Sequence, residues 1–185
     1  MSLKKRQEIN QKRNARNAAF NLFLSVLAAG IVLYLLFFVW MKPFRVDGES
    51  MNPVIKKGDI VLLDRVAKYV KSPVRGDAVA FINPLTKELM IKRVVALPGE
   101  TVKIMDGVVC IGGYALDESA YVCNAEKAGN MPAVTVPEGR YFVLSDNRAF
   151  GNDSRTFDID CIPYDDICGI MRFRVYPFDK MNLFY

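Results

Sequence analysis

Ser50 lies in a short turn-forming segment whose residues could support chemistry. The segment reads Val-Asp-Gly-Glu-Ser-Met-Asn-Pro over residues 46–53, and its glycine and proline predict that the backbone turns around the serine. A serine hydroxyl becomes a nucleophile when a neighbouring base accepts its proton. A serine that serves only to form the turn is the alternative interpretation of the same segment.

The base cannot be a histidine, because the sequence contains none. This excludes a Ser-His-Asp triad, a Cys-His pair and a histidine-ligated zinc ion within the chain. The four cysteines, Cys110, Cys123, Cys161 and Cys168, match no CxxC spacing, and we expect neither a metal nor a cofactor. Cys110 with Cys123 and Cys161 with Cys168 are possible disulfides, but three pairings, or none, are compatible with the sequence.

Lys92 is the candidate base. In the predicted strand Leu89–Leu97, side chains alternate between faces, so that Lys92 shares a face with Met90, Val94 and Ala96. A lysine on an apolar face either extends its amine to water or loses its charge through desolvation. A neutral lysine can accept the proton of a serine, but lowering its pKa to near 7 costs roughly 4–5 kcal/mol. The sequence leaves both outcomes open.

A third segment, residues 145–155, is dense in polar groups and follows the predicted strand Arg140–Leu144 directly. It contains two Asp-to-Arg spacings of two residues, which predict a loop held rigid by ion pairs. The pairs are Asp146 with Arg148 and Asp153 with Arg155. Paired charges at the end of a strand are typical of the residues that support a site, although an ordinary surface loop is the alternative.

An uncharged apolar run precedes these segments. Residues 18–41 contain no charged side chain and would span about 36 Å as a helix, which is enough to cross a hydrocarbon core of about 30 Å. A core helix of a soluble protein rarely runs this long without a charge, and no A-x-A-like cleavage site follows the run. The run therefore predicts a single transmembrane helix.

The flanking charges predict the orientation of this helix. Residues 1–17 hold six basic side chains and one acidic one, whereas only Lys42 and Arg45 closely follow the helix. We therefore expect a cytoplasmic tail that contacts anionic lipid heads, and a domain of residues 42–185 outside the cell membrane. The remaining 168 residues hold nineteen basic and nineteen acidic groups, which argues against a nucleic-acid-binding face.

The sequence predicts that the outer domain is all-β. Asp106-Gly107 separates Thr101–Met105 from Val108–Ile111, which predicts a hairpin. Gly-Asp pairs precede the predicted strands Ile60–Leu63 and Ala78–Ile82. Because no ten-residue stretch after the membrane run has the pattern of an amphipathic helix, we expect a mainly β protein with one N-terminal helix.

Taken together, these segments resemble the sequence boxes of the bacterial type I signal peptidases, a family of membrane-bound serine peptidases. The matching strings are Ser50-Met51 with Pro53, Gly76-Asp77-Ala78-Val79, Lys92-Arg93-Val94-Val95-Ala96-Leu97-Pro98-Gly99-Glu100, Asp146-Asn147-Arg148 with Asp153-Ser154-Arg155, and Gly169-Ile170. The resemblance implies a β-rich catalytic domain in which Ser50 is the nucleophile and Lys92 the general base. It also implies cleavage of signal peptides from exported preproteins, after small residues, at the outer membrane face.

The resemblance extends to residues around the dyad. It places Gly48 and the Ser50 backbone N–H at the oxyanion site. It implies a supporting shell of Met51, Arg93, Asp146, Asn147, Arg148, Gly151, Asp153, Ser154 and Arg155. Two positions depart from the family. Gly48 stands where some members carry a hydroxyl, and Gly151 where a serine usually bonds the lysine; Ser145, itself in place of a common glycine, or Ser154 could substitute if the loop bends suitably.

The function predicted from the sequence is thus that of a type I signal peptidase. We expect Phe44 and Met51 to form an apolar rim, and Met51, Met90 and Val94 to wall the substrate pockets. A non-proteolytic assembly factor for surface structures is the main alternative; Gly151 favours it, and the presence of both Ser50 and Lys92 disfavours it. A self-cleaving Ser/Lys protease of the repressor type is disfavoured by the transmembrane run.

Overall fold

The N-terminal unit of the chain is one long helix. The computed structural model describes residues 3–183 and divides at Trp40 and Met41 into two compact units. Helix α1, Leu3–Trp40, includes the basic segment as well as the apolar run. Within the 25 residues Arg16–Trp40, the most apolar window of 18 residues has a mean hydropathy of 2.7, and none of it is buried. These 25 residues rise about 37 Å, which is long enough to cross a membrane.

The second unit consists almost entirely of short β-strands. The strands are β1 (Met41–Arg45), β2 (Ile60–Asp64), β3 (Ala78–Ile82), β4 (Leu89–Ala96), β5 (Thr101–Met105), β6 (Val108–Ile111), β7 (Tyr114–Ala115), β8 (Met131–Thr135), β9 (Arg140–Leu144), β10 (Ile162–Pro163), β11 (Ile167–Tyr176) and β12 (Asn182–Leu183). Within the described part of this unit, the one α-helix is the four-residue α2, Ala67–Val70. The prediction of a mainly β protein is confirmed.

These strands form two antiparallel sheets. The larger sheet has the order β1-β2-β11-β3-β4-β9-β10, with β12 also paired to β11, and the smaller has the order β7-β6-β5-β8. The predicted bounds of β3, β5, β6 and β9 agree with the structure. The strands β1 and β8 lack a sequence signal because each lies at a sheet edge, contains a proline and is mostly exposed.

The core lies on both faces of the larger sheet and beneath the smaller one. Met51 and Ile55 anchor the Ser50 turn in a cluster with Ala78, Ala80 and Ile91. A second cluster, on the other face of β3, contains Val79, Phe81, Val94, Val143 and Ile170. A third packs the smaller sheet against β4 and β9 and contains Val95, Ala96, Val102, Ile104 and Phe142. Strand β4 is therefore enclosed on both faces.

The alternation predicted for β4 holds only as far as Val94. The pairing of β4 with β9 shifts register between Val94 and Ala96. As a result, Ala96 packs in the same cluster as Val95, not with Val94. The prediction that Ala96 shares the face of Lys92 is therefore wrong, because a β-bulge interrupts the period of two.

Candidate active site

Ser50 stands on a turn that is fixed at both ends. The N–H of Ile55 donates to the carbonyl of Met51 at 2.8 Å, and both side chains are buried. The N–H of Asn147 donates to the carbonyl of Ser50 at 2.9 Å, which links the turn to the polar loop after β9. The serine itself is half-buried, so its hydroxyl is held in place while remaining reachable.

The Ser50 turn and the start of β4 enclose a cleft of about 420 Å³. The lining residues are Phe44, Val46, Asp47, Gly48, Ser50 and Met51 from one segment and Glu88, Leu89, Met90, Ile91 and Lys92 from the other. Ser50 and Lys92 thus line one cleft. Phe44 and Met51, expected at an apolar rim, and Met90, expected in a pocket wall, are among these lining residues. Val94 does not line the cleft, because it is fully buried in the second core cluster beside Val79 and Val143.

The side chain of Lys92 is buried in an environment that disfavours its charge. It is 1 % exposed, and its amine makes no hydrogen bond within the described part of the chain. Burial lowers the pKa of Lys92 from 10.5 to about 8, although the charges of Asp153 and Asp146 oppose the decrease. The sequence leaves open whether the Lys92 amine extends to water or is desolvated. In the structure it is desolvated. A lysine in this state is neutral in a substantial fraction of molecules at mildly alkaline pH.

Groups suited to bind a developing negative charge lie beside the serine. The backbone N–H of Ser50 has no acceptor among the described residues. No atom lies within 4 Å of the position that a Cβ of Gly48 would occupy, so a substrate carbonyl could approach there. No hydrogen bond joins the Ser50 hydroxyl to the Lys92 amine; such contacts are often long before a substrate binds.

The polar loop is held by ion pairs, but only one of the two predicted pairs forms. Arg155 donates from Nε to Asp153 at 2.8 Å, as its spacing predicts. Asp146 instead accepts two hydrogen bonds from Arg93, at 2.7 and 2.6 Å. Arg148 reaches Glu118, at 2.6 and 3.1 Å. The predicted pair of Asp146 with Arg148 is wrong because each side chain points toward a distant segment of the chain.

Glu118 and Tyr121 belong to the supporting structure and have no signal in the sequence. The ring of Tyr121 lies 4.3 Å from the Arg93 guanidinium, and its hydroxyl donates to Glu118 at 3.2 Å. Cys123, two residues after Tyr121, forms a β-bridge with Asn147 of the polar loop. The segment therefore covers the buried ion pairs. Its residues are separated from their partners by dozens of positions, so no local spacing marks them.

The remaining predicted residues of the loop have different surroundings. The Ser154 hydroxyl accepts from the N–H of Val143 at 3.0 Å and donates to the carbonyl of Asp160 at 2.6 Å, so it is fully used. No atom lies within 4 Å of a Cβ built at Gly151. All four cysteines are free, and the described residues contain no group of side chains that could hold a metal ion.

The buried pair of Arg93 and Asp146 yields a stability prediction. Asp146→Ala should lower the free energy of unfolding by about 3–5 kcal/mol, because it leaves the Arg93 guanidinium buried without its carboxylate. Denaturant unfolding followed by near-ultraviolet circular dichroism measures the change. Asp158→Ala, at an exposed position, is the control and should change it by less than about 0.5 kcal/mol. The double variant Arg93→Met/Asp146→Ala should recover part of the loss; equal stability of Asp146→Ala and the parent would contradict the prediction.

Comparison with known proteins identifies the family of this chain. The chain has a mainly β domain after an apolar helix, with a serine and a desolvated lysine in one cleft. A family model described as signal peptidase, peptidase S26, matches residues 19–176. The chain belongs to this signal peptidase family.

Individual relatives cover most of the chain. A probable signal peptidase I-1 from Synechocystis is 34 % identical over 165 residues, which cover 85 % of this chain and 82 % of that protein. Signal peptidase I T from Bacillus subtilis is 32 % identical over 167 residues, which cover 86 % and 84 %. A crystal structure of a signal peptidase I from Enterococcus faecalis is 34 % identical and covers 54 % of this chain and 97 % of its own, with a TM-score of 0.46.

Proposed function

We propose that this protein is a membrane-bound serine endopeptidase that removes signal peptides from exported preproteins. The observation that carries the proposal is the Lys92 amine, which is buried, free of hydrogen bonds and in the same cleft as Ser50. The relatives named signal peptidase I support the choice of substrate. No cofactor takes part in the reaction.

The proposed mechanism uses Ser50 and Lys92 as a dyad. The neutral Lys92 amine accepts the proton of the Ser50 hydroxyl while Oγ attacks the scissile carbonyl. The backbone N–H of Ser50 donates to the oxyanion, and the open space at Gly48 admits the carbonyl. The Lys92 ammonium then protonates the leaving amine, and water resolves the acyl-enzyme with Lys92 as base. Burial serves this mechanism because it keeps the amine deprotonated at lower pH.

An extended substrate segment would bind along the start of β4. Leu89–Lys92 pairs with β3 on one edge, whereas β9 covers the other edge only from Arg93 onward. The open edge lines the cleft and can accept an additional strand, whose alternate side chains would then enter the cleft. Met51 and Met90 are the proposed walls for the residue that precedes the scissile bond.

The proposed location is the cell membrane, in a single pass. The apolar part of α1 is long enough to span the bilayer, and six basic residues precede it. The positive-inside rule then places the N-terminus in the cytoplasm and the β domain outside. The basic residues would contact anionic lipid heads on the cytoplasmic side.

Cleavage of a preprotein by the purified full-length protein in detergent tests the proposal. We expect release of the signal peptide after a small residue, identified by mass spectrometry, and loss of cleavage in Ser50→Ala and Lys92→Ala. Ser119→Ala and Lys103→Ala are matched controls at exposed positions outside the cleft and should cleave normally. An intact, folded protein that cleaves no preprotein would overturn the proposal. It would favour the alternative of a non-proteolytic assembly factor, which is supported by Gly151 of this chain in place of the usual serine.

The proposed role of Lys92 predicts the pH dependence of the rate. Because the amine must be neutral to act as base, kcat/KM should rise about tenfold per pH unit below about 8 and level off above it. The measurement is cleavage of one substrate from pH 6 to 10, with circular dichroism to verify folding at each pH. The rising limb should be missing from the residual activity of Lys92→Ala. A flat profile of the parent over this range would remove Lys92 as the base.

A further inference from the structure

The hydroxyl of Ser145 is buried without a partner. Ser145 is 0 % exposed, and its Oγ is the one buried side-chain nitrogen or oxygen atom in the described residues that lacks a hydrogen bond. Its backbone groups, in contrast, are fixed: the N–H donates to Asp153 at 2.9 Å, and the carbonyl accepts from Arg148 Nε at 2.8 Å. Because buried polar atoms almost always find partners, such an atom beside the candidate site calls for an explanation.

Ser145 directly follows the last residue of β9, the strand that pairs with β4 next to Lys92. In the pairing of β4 with β9, Arg93 lies opposite Leu144 and Val94 opposite Val143. The ladder ends there, and continuing its register by one residue beyond β9 would bring Ser145 opposite Lys92. Directly opposite residues of antiparallel strands point to the same face, with Cβ atoms about 4.5–5.5 Å apart. The continued register therefore directs the Ser145 hydroxyl and the Lys92 amine, neither of which has a hydrogen bond, toward the same face of the sheet.

Asp153 connects the two groups. Its carboxylate takes the Ser145 N–H and lies near the Ser145 hydroxyl, although the hydroxyl makes no hydrogen bond to it in this structure. Burial raises the pKa of Asp153, but the Arg155 guanidinium and the Ser145 contacts outweigh it and keep the carboxyl ionised. Asp153 also exerts the largest favourable charge effect on Lys92. The alternative donor on this loop, Ser154, has its hydroxyl fully used.

We infer that Ser145 positions the Lys92 amine for catalysis, a role that rests on the proposed function. Its Oγ accepts a hydrogen bond from Lys92 Nζ while its own proton is donated to the Asp153 carboxylate. The amine is thereby oriented with its lone pair free for Ser50. The proton that moves in the reaction passes from the Ser50 hydroxyl to Lys92 Nζ, and Ser145 keeps its own proton throughout. Ser145 is thus a positioning residue that does not touch the substrate.

Kinetics of Ser145→Ala test this role. We expect kcat to fall about 10- to 100-fold with little change in KM, because the amine loses its orientation while the substrate contacts remain. Ser145→Cys fills the same space with a slightly larger side chain that is only a weak acceptor, so it should show the same loss if the alanine variant folds poorly. Ser119→Ala is the control and should keep the parent kcat. An unchanged kcat in both Ser145 variants would overturn the inference.

The pH profile separates positioning from a merely structural role. An oxygen that accepts from the amine favours its charged form, so removing it should move the midpoint of the rate limb below that of the parent, while the plateau rate falls. If Ser145 only filled space, its removal would admit water and move the midpoint upward, toward 10.5. A midpoint that stays in place or rises would contradict the inference.

Other charged groups near Lys92 are the same in all these variants. From the loop and the end of β9 they are Asp153, Arg155 and Asp146, whereas β3 presents the apolar Val79; the cleft rim adds the exposed Asp47 and Glu88. A shift between the parent and the Ser145 variants therefore reports the loss of the hydroxyl.

A measurement without turnover distinguishes failure of this inference from failure of the proposed function. The ¹³Cε signal of Lys92, in protein labelled with ¹³C-lysine and assigned with Lys92→Ala, reports the titration of the amine directly. It should titrate at lower pH in Ser145→Ala than in the parent, also in a Ser50→Ala background. If Lys92 titrates at lower pH in Ser145→Ala but the parent cleaves no preprotein, the contact between Ser145 and Lys92 is supported and the proposed function is refuted. If the parent cleaves preprotein but the titration midpoint of Lys92 is the same in Ser145→Ala, the proposed function is supported and the contact between Ser145 and Lys92 is refuted.

Discussion

Lys92→Arg is expected to be as inactive as Lys92→Ala. Arginine keeps the positive charge and much of the length of lysine, but its guanidinium does not lose a proton near neutral pH. It therefore cannot accept the proton of Ser50, and cleavage should fall by about three to four orders of magnitude. Single-turnover cleavage of a preprotein at pH 8–9 measures the loss.

The same substitution at Lys103 is the matched control. Lys103 is exposed on β5, outside the cleft, and Lys103→Arg should keep full activity. Circular dichroism of Lys92→Arg shows whether the larger side chain is accommodated in the core. Appreciable turnover by a folded Lys92→Arg variant would show that Lys92 is a structural residue and that another group is the base.

A preprotein with tryptophan immediately before the scissile bond should be cleaved about 100- to 1,000-fold more slowly than one with alanine. The cleft measures only about 420 Å³ and must also hold neighbouring substrate residues between Met51 and Met90. A bulky side chain there would displace the scissile carbonyl from Ser50, and a shift of about 1 Å can cost 100-fold in rate. The ratio of kcat/KM for the two substrates measures the effect.

The substrate control carries tryptophan in the apolar segment of the signal peptide, far from the cut. This substrate should be cleaved at nearly the parent rate, since its tryptophan does not enter the cleft. Equal cleavage of the alanine and tryptophan substrates would show that the residue before the cut binds outside the walls formed by Met51 and Met90.

The sequence predicts the elements that carry Ser50 and Lys92 where the signals are local. The turn around Ser50 and the strand that carries Lys92 depend on glycine and proline positions and on a period of two, which neighbouring residues determine. These signals place the two residues on the correct elements. They do not determine whether the Lys92 amine is desolvated, because that depends on how β3 and the loop after β9 enclose it.

Contacts between distant parts of the chain leave no local pattern in the sequence, so they could not be predicted from it. Arg93 and Asp146 are 53 positions apart, and Arg148 and Glu118 are 30 positions apart, so spacing within the loop suggested the wrong partner for Asp146. The position of Ala96 on the face of Val95 also depends on a distant segment, because a β-bulge is a property of two paired strands.

The burial of Lys92 also has a cost that a selection experiment would reveal. Between pH 8 and 10.5 the unfolded chain binds a proton at Lys92 that the folded chain does not, so stability rises with pH across this window. Below pH 8 the charged amine in the core costs about 3 kcal/mol. A library screened at neutral pH for resistance to heat, without any demand for activity, should therefore be enriched in apolar replacements of Lys92 such as methionine. Recovery of lysine at this position would then measure the strength of selection for activity itself.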